Sequence, residues 1–492
     1  MSDERHADLP GRTARGAATM LLARGLGTGI AILATAVIAR YVTPGEYGLV
    51  GMVIAVLGVA RVLEELGLGD AAIQRDRIDD SEVTTLAIIN ILCGVVLGLG
   101  FVASAPLIAW FYGRDELVPL CVALSPLFVF AGIGAQPRAM MRRRFRFRAL
   151  AVAQTGSLVA GAIAGTAGAV GGLGPWAIVL QHLVGGGVLA VGCLIGSGWR
   201  PVRPASLRRI RPMLGYGLNL GASQFLNAIT RNLDDILIGR FVGPIAVGAY
   251  GRAFQLMSLP ATQLNQPLTS AVVPALSRLQ DQPDRFRSLY RSSIEVIASL
   301  AFPLAVFTGV AAPAMVGTIL GPDWSEATPL LRALAPAGLM VSLNVATGWV
   351  YLSLGRTDRQ LRWRLLGSTA AVVGMVAGLP WGALGVAIGL SSARVLMRLP
   401  AVLYCFHGTP LVLLDLGSVV WRTAIASAVA GVLAWLFDPQ MLQPVGRLLV
   451  QSLVFIGIWL GTMAVLPGGT GRLRAGVRLV RGLRSGEVMD AS

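Results

Sequence analysis

The stretch NLGASQFLNAITRNLDDILIGR, Asn219 to Arg240, sets amides, hydroxyls and charges into otherwise apolar sequence. Ser223, Asn227, Arg231 and Asp234 or Asp235 follow at steps of four, four, and three or four. On an α-helix that spacing makes one face. Gln255, Thr262, Gln266 and Thr269 continue the pattern downstream, mostly on one face. Upstream stand Arg24, Thr28 and Thr35, then Arg61 with Glu64 and Glu65. Amides and hydroxyls of this kind can replace water around a saccharide. A guanidinium can hold a phosphate by charge-assisted, often bidentate bonds. Arg24 has no acid nearby in sequence and is the foremost anion-binding candidate. Arg61 can pair with Glu64 or Glu65, and Arg231 with Asp234 or Asp235, at helical i+3 or i+4 spacing. Even a self-paired cluster needs a polar cavity or partner helices at membrane depth. Asp234, Asp235, Glu64 and Glu65 are the acids available for coupling to an ion. Arg394 and Arg422 are expected to snorkel toward an interface.

The elements carrying these residues are apolar. Of 492 residues 54% are hydrophobic and 13% charged, about half the charged share of an ordinary soluble domain. Mean hydropathy is +0.68. Crossing about 30 Å of hydrocarbon takes about 20 mostly apolar residues. Fourteen segments qualify, roughly 17–39, 48–69, 83–107, 117–136, 150–171, 175–196, 214–240, 246–274, 292–320, 327–354, 364–380, 382–404, 417–436 and 447–467. Their many glycines permit close helix contact in lipid. The N-terminal MSDERHADLPGRTARG lacks the order of a cleaved signal, so the first apolar segment is expected to remain as an anchor.

All 41 basic residues are arginine, and the formal net charge is +16. With the N-terminus placed in the cytoplasm, 29 arginines fall in inside segments and 5 outside. The outside five are Arg40, Arg114, Arg240, Arg332 and Arg447. This asymmetry sets the orientation and checks the span count, since one missed helix would scramble it. It also explains RAMMRRRFRFRAL, with six arginines between Arg138 and Arg148. The run reads as a cytoplasmic turn beside anionic lipid headgroups, not a nucleic-acid surface. Both termini are expected in the cytoplasm.

Two motifs recur. IARYVTPGEYG, Ile38 to Gly48, and IGRFVGPIAVG, Ile238 to Gly248, share Ile, Arg, Val, Pro and Gly at a shift of 200 residues. Arg146–Phe147–Arg148 is matched with Arg362–Trp363–Arg364. A shift of six spans preserves orientation and gives a parallel repeat with a site between the halves. The expected architecture is an all-α integral membrane protein of about 14 transmembrane helices. Two six-helix lobes are related by a parallel repeat, followed by two C-terminal helices. The divisions are a cytoplasmic segment 1–15, an N-lobe 16–199, a basic linker 200–213, a C-lobe 214–404, two further helices in 405–467 and a basic tail 468–492.

Other chemistry finds little support. Cys93, Cys121, Cys193 and Cys405 form no C-x-x-C pair, and there are three histidines, so neither a disulfide framework nor a metal site is expected. Without lysine the chain cannot complete a G-x-x-x-x-G-K-[ST] loop. No cofactor, direct ATP use or catalytic residue is expected. A membrane-embedded saccharide polymerase or ligase would need a substantial outside loop, and every expected outside loop is about ten residues or fewer.

Five stretches carry a family resemblance: Ala39 to Met52, Gly67 to Arg75, Gln136 to Ala151, Asn232 to Gln280 and Tyr351 to Trp363. They resemble the Wzx-like polysaccharide flippases of the multidrug/oligosaccharidyl-lipid/polysaccharide exporter superfamily, over about residues 16 to 404. The resemblance implies a bacterial inner-membrane protein moving undecaprenyl-diphosphate-linked oligosaccharide outward by alternating access. It maps the family's acid-then-IGR element onto Asp235 and Ile238 to Arg240. Lumen-lining arginines carry over to Arg24 and Arg231. Expected partners are that lipid-linked saccharide, anionic membrane lipids, and a polymerase and chain-length regulator, with no nucleic acid. The alternative is a small-molecule or multidrug antiporter of the same superfamily, although basic lumen residues suit an anionic substrate better.

Overall fold

In a computed structural model of the chain, residues 25–65, 69, 72, 75, 78–206, 210 and 228–467 are described. Among them there is no strand. The helices are α1 (Gly25–Ile38), α2 (Pro44–Glu65), α3 (Asp80–Tyr112), α4 (Leu117–Leu124), α5 (Pro126–Arg143), α6 (Phe147–Val170) and α7 (Pro175–Ser197). Then come α8 (228–241), α9 (Pro244–Arg278), α10 (Pro283–Val310), α11 (Ala312–Ile319) and α12 (Ala327–Ser353). The chain closes with α13 (Thr357–Gly378), α14 (Gly382–Leu396), α15 (Arg398–Phe406), α16 (Leu413–Leu436) and α17 (Pro444–Val465). Among the described residues, ten helical stretches are long and apolar enough to cross a membrane. Hydrocarbon leaves the backbone no water to bond, and helices satisfy it internally.

Helix ends follow local chemistry and so depart from the apolar limits. The second span was expected from residue 48, but α2 begins at Pro44. Thr43 and Glu46 cap it: the Thr43 N–H donates to Glu46 Oε2 at 2.8 Å, and the Glu46 N–H to Thr43 Oγ1 at 3.4 Å. This is a capping box, with proline at the first helical position. The eleventh span was expected from residue 364, yet α13 starts at Thr357. TDRQLRWR is polar but helical, so hydropathy alone truncates it.

The described residues form two compact units. One holds those up to Gly251 with Ile319–Asp323; the other holds Arg252–Thr318 and those from Trp324 onward. In the first unit, Val83, Leu86 and Ala87 of α3 pack with Ala139 and Met140 of α5 and with Trp199. In the second, Leu276, Phe286, Tyr290, Trp349, Val402 and Val419 build one core from α9, α10, α12, α15 and α16. There the buried Asp415 carboxylate receives Arg287 Nε at 2.7 Å and the Val412 N–H at 3.0 Å. That pairing fastens the start of α16 to α10.

The recurring Pro-x-x-x-Gly motif makes a crossing inside the first unit. A Cβ placed on Gly48 would fall onto the Pro244 carbonyl, and one on Gly248 onto the Pro44 carbonyl. Two helix starts thus touch backbone to backbone by equivalent residues. Close approach of this kind needs glycine on both sides.

A turn geometry also recurs, at residues other than those of the second sequence match. Arg146 precedes α6 with φ −81° and ψ 50°; Arg356 precedes α13 with φ −87° and ψ 50°. The residues before them, Phe145 and Gly355, have φ of 54° and 67°. Arg146 Nη1 donates to the Gly196 carbonyl at 3.2 Å, and Arg356 Nη1 to the His407 carbonyl at 3.0 Å. Arg146 and Arg356 thus share a turn geometry and a carbonyl bond. Arg362–Trp363–Arg364 lies within α13, where Trp363 stacks on Tyr404.

Gly48→Ala and Gly248→Ala should each lower the stability of the detergent-purified protein by about 1–3 kcal/mol, since overpacking forces backbones apart. Gly251→Ala, where a Cβ meets nothing within 4 Å, should leave the melting temperature unchanged or slightly raised. Equal melting temperatures for all three variants would contradict the crossing.

Candidate functional site

Buried and half-buried polar groups on α8 and α9 mark the candidate site. Asp234 on α8 is buried, 6% exposed. Tyr250, in the second turn of α9, donates its hydroxyl to Asp234 Oδ2 at 2.9 Å. The Asp235 N–H donates to Asp234 Oδ1 at 3.1 Å. Burying a carboxylate is tolerable only when donors replace its water, and here a phenol and a backbone amide serve both oxygens. Asp235 is half-buried.

Arg231 lies three residues before Asp234 but is exposed, and among the described residues it makes no ion pair with either aspartate. Its neighbour Asn232 donates Nδ2 to the Ala228 carbonyl at 2.8 Å. The Asn232 amide sits against α2 at Gly58, where a Cβ would come 3.1 Å from Oδ1. Arg61 lies one turn beyond Gly58 and is likewise exposed. The structure thus brings two expected site residues, Arg61 and Arg231, within a turn of one α2–α8 contact. Arg231 is ten residues from the end of α8 at 241, about 15 Å along a helix.

Thr28 is half-buried on α1 and Gln255 half-buried on α9. Arg24, Asn227 and the side chains of Glu64, Glu65 and Gln266 lie outside the described residues, as do Ser223 and Thr262. Arg422 lies over the Trp421 ring at 4.8 Å, and Arg394 stands in the last turn of α14. The four cysteines are free thiols, and all but the half-buried Cys93 are buried.

The second unit holds polar groups that sequence reasoning missed. Arg398 Nη1 donates to Asn344 Oδ1 at 3.2 Å, while its Nε and Nη2 are buried without a hydrogen-bond partner among the described residues. Asn344 is exposed between the buried Leu343 and Ala346 of α12. Trp349 Nε1 donates to Thr269 Oγ1 at 2.9 Å, linking α12 to the polar face of α9. Arginine at four-residue spacing, Arg394 then Arg398, was the available signal. Tyr250 gave none, because an isolated tyrosine in apolar sequence reads as core.

A profile described as "Polysaccharide biosynthesis protein" matches residues 37–329. Lipopolysaccharide biosynthesis protein WzxC of Escherichia coli (strain K12) is 25% identical over 78% of this chain and 79% of its own length. Teichuronic acid biosynthesis protein TuaB of Bacillus subtilis (strain 168) is 30% identical over 62% of this chain and 63% of its own. Succinoglycan biosynthesis transport protein ExoT of Rhizobium meliloti (strain 1021) is 26% identical over 62% of each. The fold is similar to that of lipid II flippase MurJ in an inward closed conformation, with TM-score 0.76 at 15% identity. That match covers 92% of this chain and 98% of the other. An outward-facing multidrug resistance MATE family transporter of the MOP superfamily aligns with TM-score 0.53 at 14% identity, over 82% and 96%. With the profile spanning more than half of its length, this multi-pass membrane chain belongs to the polysaccharide biosynthesis protein family.

Proposed function

We propose that the protein exports undecaprenyl-diphosphate-linked oligosaccharide across a bacterial inner membrane by alternating access. The observation that carries this reading is the pair Arg61 and Arg231. Both are exposed on helices that touch at Gly58 and Asn232, and neither has an ion-pair partner among the described residues. A guanidinium at membrane depth needs water or a partner, and on this reading the space beside these two is wet. Two neighbouring cations suit a diphosphate, whose paired phosphates each accept charge-assisted bonds. Arg24 joins them in this reading. Thr28, Asn227, Gln255 and Gln266 replace the water of the sugar hydroxyls. The isoprenoid tail stays in lipid.

The full architecture proposed is fourteen spans with both termini in the cytoplasm, residues 16–199 and 214–404 forming two parallel lobes and the final two helices an appendage. The shared turn geometry at Arg146 and Arg356 supports the repeat. In this reading the Gly48–Pro244 and Gly248–Pro44 crossing is the closed outer end, and it parts when the headgroup leaves. Asp234, held by Tyr250, is the favoured coupling acid, with Asp235, Glu64 and Glu65 in reserve. Anionic lipids face the basic turns, and a polysaccharide polymerase and chain-length regulator act beside the protein. A cationic drug would meet repulsion at Arg61 and Arg231, which disfavours the antiporter reading.

Vesicles holding the pure protein and labelled lipid-linked saccharide test the assignment through headgroup accessibility to an impermeant reagent. The wild type should expose the headgroup. Arg231→Ala and Arg61→Ala should slow exposure about tenfold or more, the loss expected for a charged hydrogen bond. Full rates in both variants would remove these residues from the site, and a wild type that moves organic cations but no saccharide would favour the antiporter. Separately, Tyr250→Phe should lower stability by about 1–3 kcal/mol, because it strips a donor from a buried carboxylate; an unchanged melting temperature would show that Asp234 does not depend on it.

A further inference from the structure

The turn between α5 and α6 contains a conformational anomaly. Phe145 has φ of 54° and is, among the described residues, the one non-glycine with positive φ. L side chains rarely adopt that conformation. The turn before α13 has the same geometry and places Gly355 there, with φ of 67°. The Phe145 ring is also 58% exposed. A strained backbone and a phenyl ring presented outward are both unfavourable in water, and glycine would remove both.

What surrounds the ring suggests what offsets them. Phe145 meets Phe147 edge-on, with centroids 5.8 Å apart. Arg142, Arg144, Arg146 and Arg148 are all exposed around it. Arg144 reaches Asp80 at 3.3 Å, and Arg146 reaches the Gly196 carbonyl. Among the described residues, the Arg142 and Arg148 side chains make no hydrogen bond or ion pair. The turn joins two helical stretches, Leu117–Arg143 and Phe147–Val170, each long enough to span. At 24 residues, α6 reaches about 36 Å, several ångströms more than the hydrocarbon core. Phe145 therefore sits at headgroup level, where aromatic rings are favoured, among cations that need anionic partners.

We propose that the turn from Arg142 to Arg148 is a docking site for anionic phospholipid headgroups, with Phe145 wedged between them and Arg142 and Arg148 holding their phosphates. The left-handed backbone at Phe145 turns its ring outward, and the membrane accepts it. This reading does not depend on what the protein transports.

The test uses the full chain in a neutral detergent, reading the melting temperature as phosphatidylglycerol or phosphatidylcholine is added. The wild type should gain more from phosphatidylglycerol, and salt should reduce the difference. Phe145→Gly should melt no lower than the wild type without lipid, because glycine fits this backbone. It should nonetheless lose about half or more of the phosphatidylglycerol-specific gain, and Arg142→Gln with Arg148→Gln should abolish most of it. A lipid-free melting temperature that falls in Phe145→Gly would place the ring in a protein contact and overturn the proposal. So would an unchanged phosphatidylglycerol gain in both variants. A gain seen with undecaprenyl phosphate but not phosphatidylglycerol would assign the turn to the carrier lipid instead.

Discussion

Hydrocarbon leaves no backbone group and no charge without a partner, and this chain is arranged around that constraint. The backbone answers with helices. The charges answer in two ways. Among the described residues, many arginines stand at helix ends, where several bond the carbonyls that a helix terminus leaves open. Arg146 does this for the end of α7, and Arg356 and Arg359 for the end of α15. Arg287 instead neutralises the buried Asp415. These bonds tie neighbouring helices where lipid supplies no hydrophobic force between them. Arg61 and Arg231 are exposed and make no ion pair among the described residues, and the proposed function rests on them.

Among the described residues, ten membrane-length helices were legible because an apolar run of sufficient length has no other stable fate in a bilayer. Their ends were less so. Hydropathy does not register Thr43 and Glu46 capping α2, nor the polar first turns of α13. The site was legible as residue types on a face, not as contacts. Ser223 to Asp235 suggested one stripe, yet Asp234 is buried against Tyr250 while Arg231 is exposed. Helical spacing fixes angles around one helix and says nothing of which neighbour arrives. The Gly58–Asn232 contact that gathers Arg61 and Arg231 joins residues 174 apart with no motif between them.

The Arg–aromatic–Arg match and the backbone turn select different registers. Similarity of side chains pointed to Arg362–Trp363–Arg364. Similarity of backbone lies at Leu354–Gly355–Arg356, where Phe145 and Gly355 share a left-handed conformation despite having no side-chain likeness. Glycine is what that backbone favours, so the phenylalanine is the residue that calls for an external cause.

The Pro-x-x-x-Gly motif is the opposite case, because its identity across the two copies is itself the geometry. Each glycine faces the carbonyl of the other copy's proline, as in an isologous contact where one surface meets its equivalent. Such a contact closes only if both copies keep the spacing, since a Cβ on either side separates both backbones at once. It also stores little: two glycines and two carbonyls bury no large side chain and form no ion pair. A junction that is sterically exact but energetically shallow can part and re-form without large barriers. On the proposed reading, that is what the outer end of an alternating carrier requires.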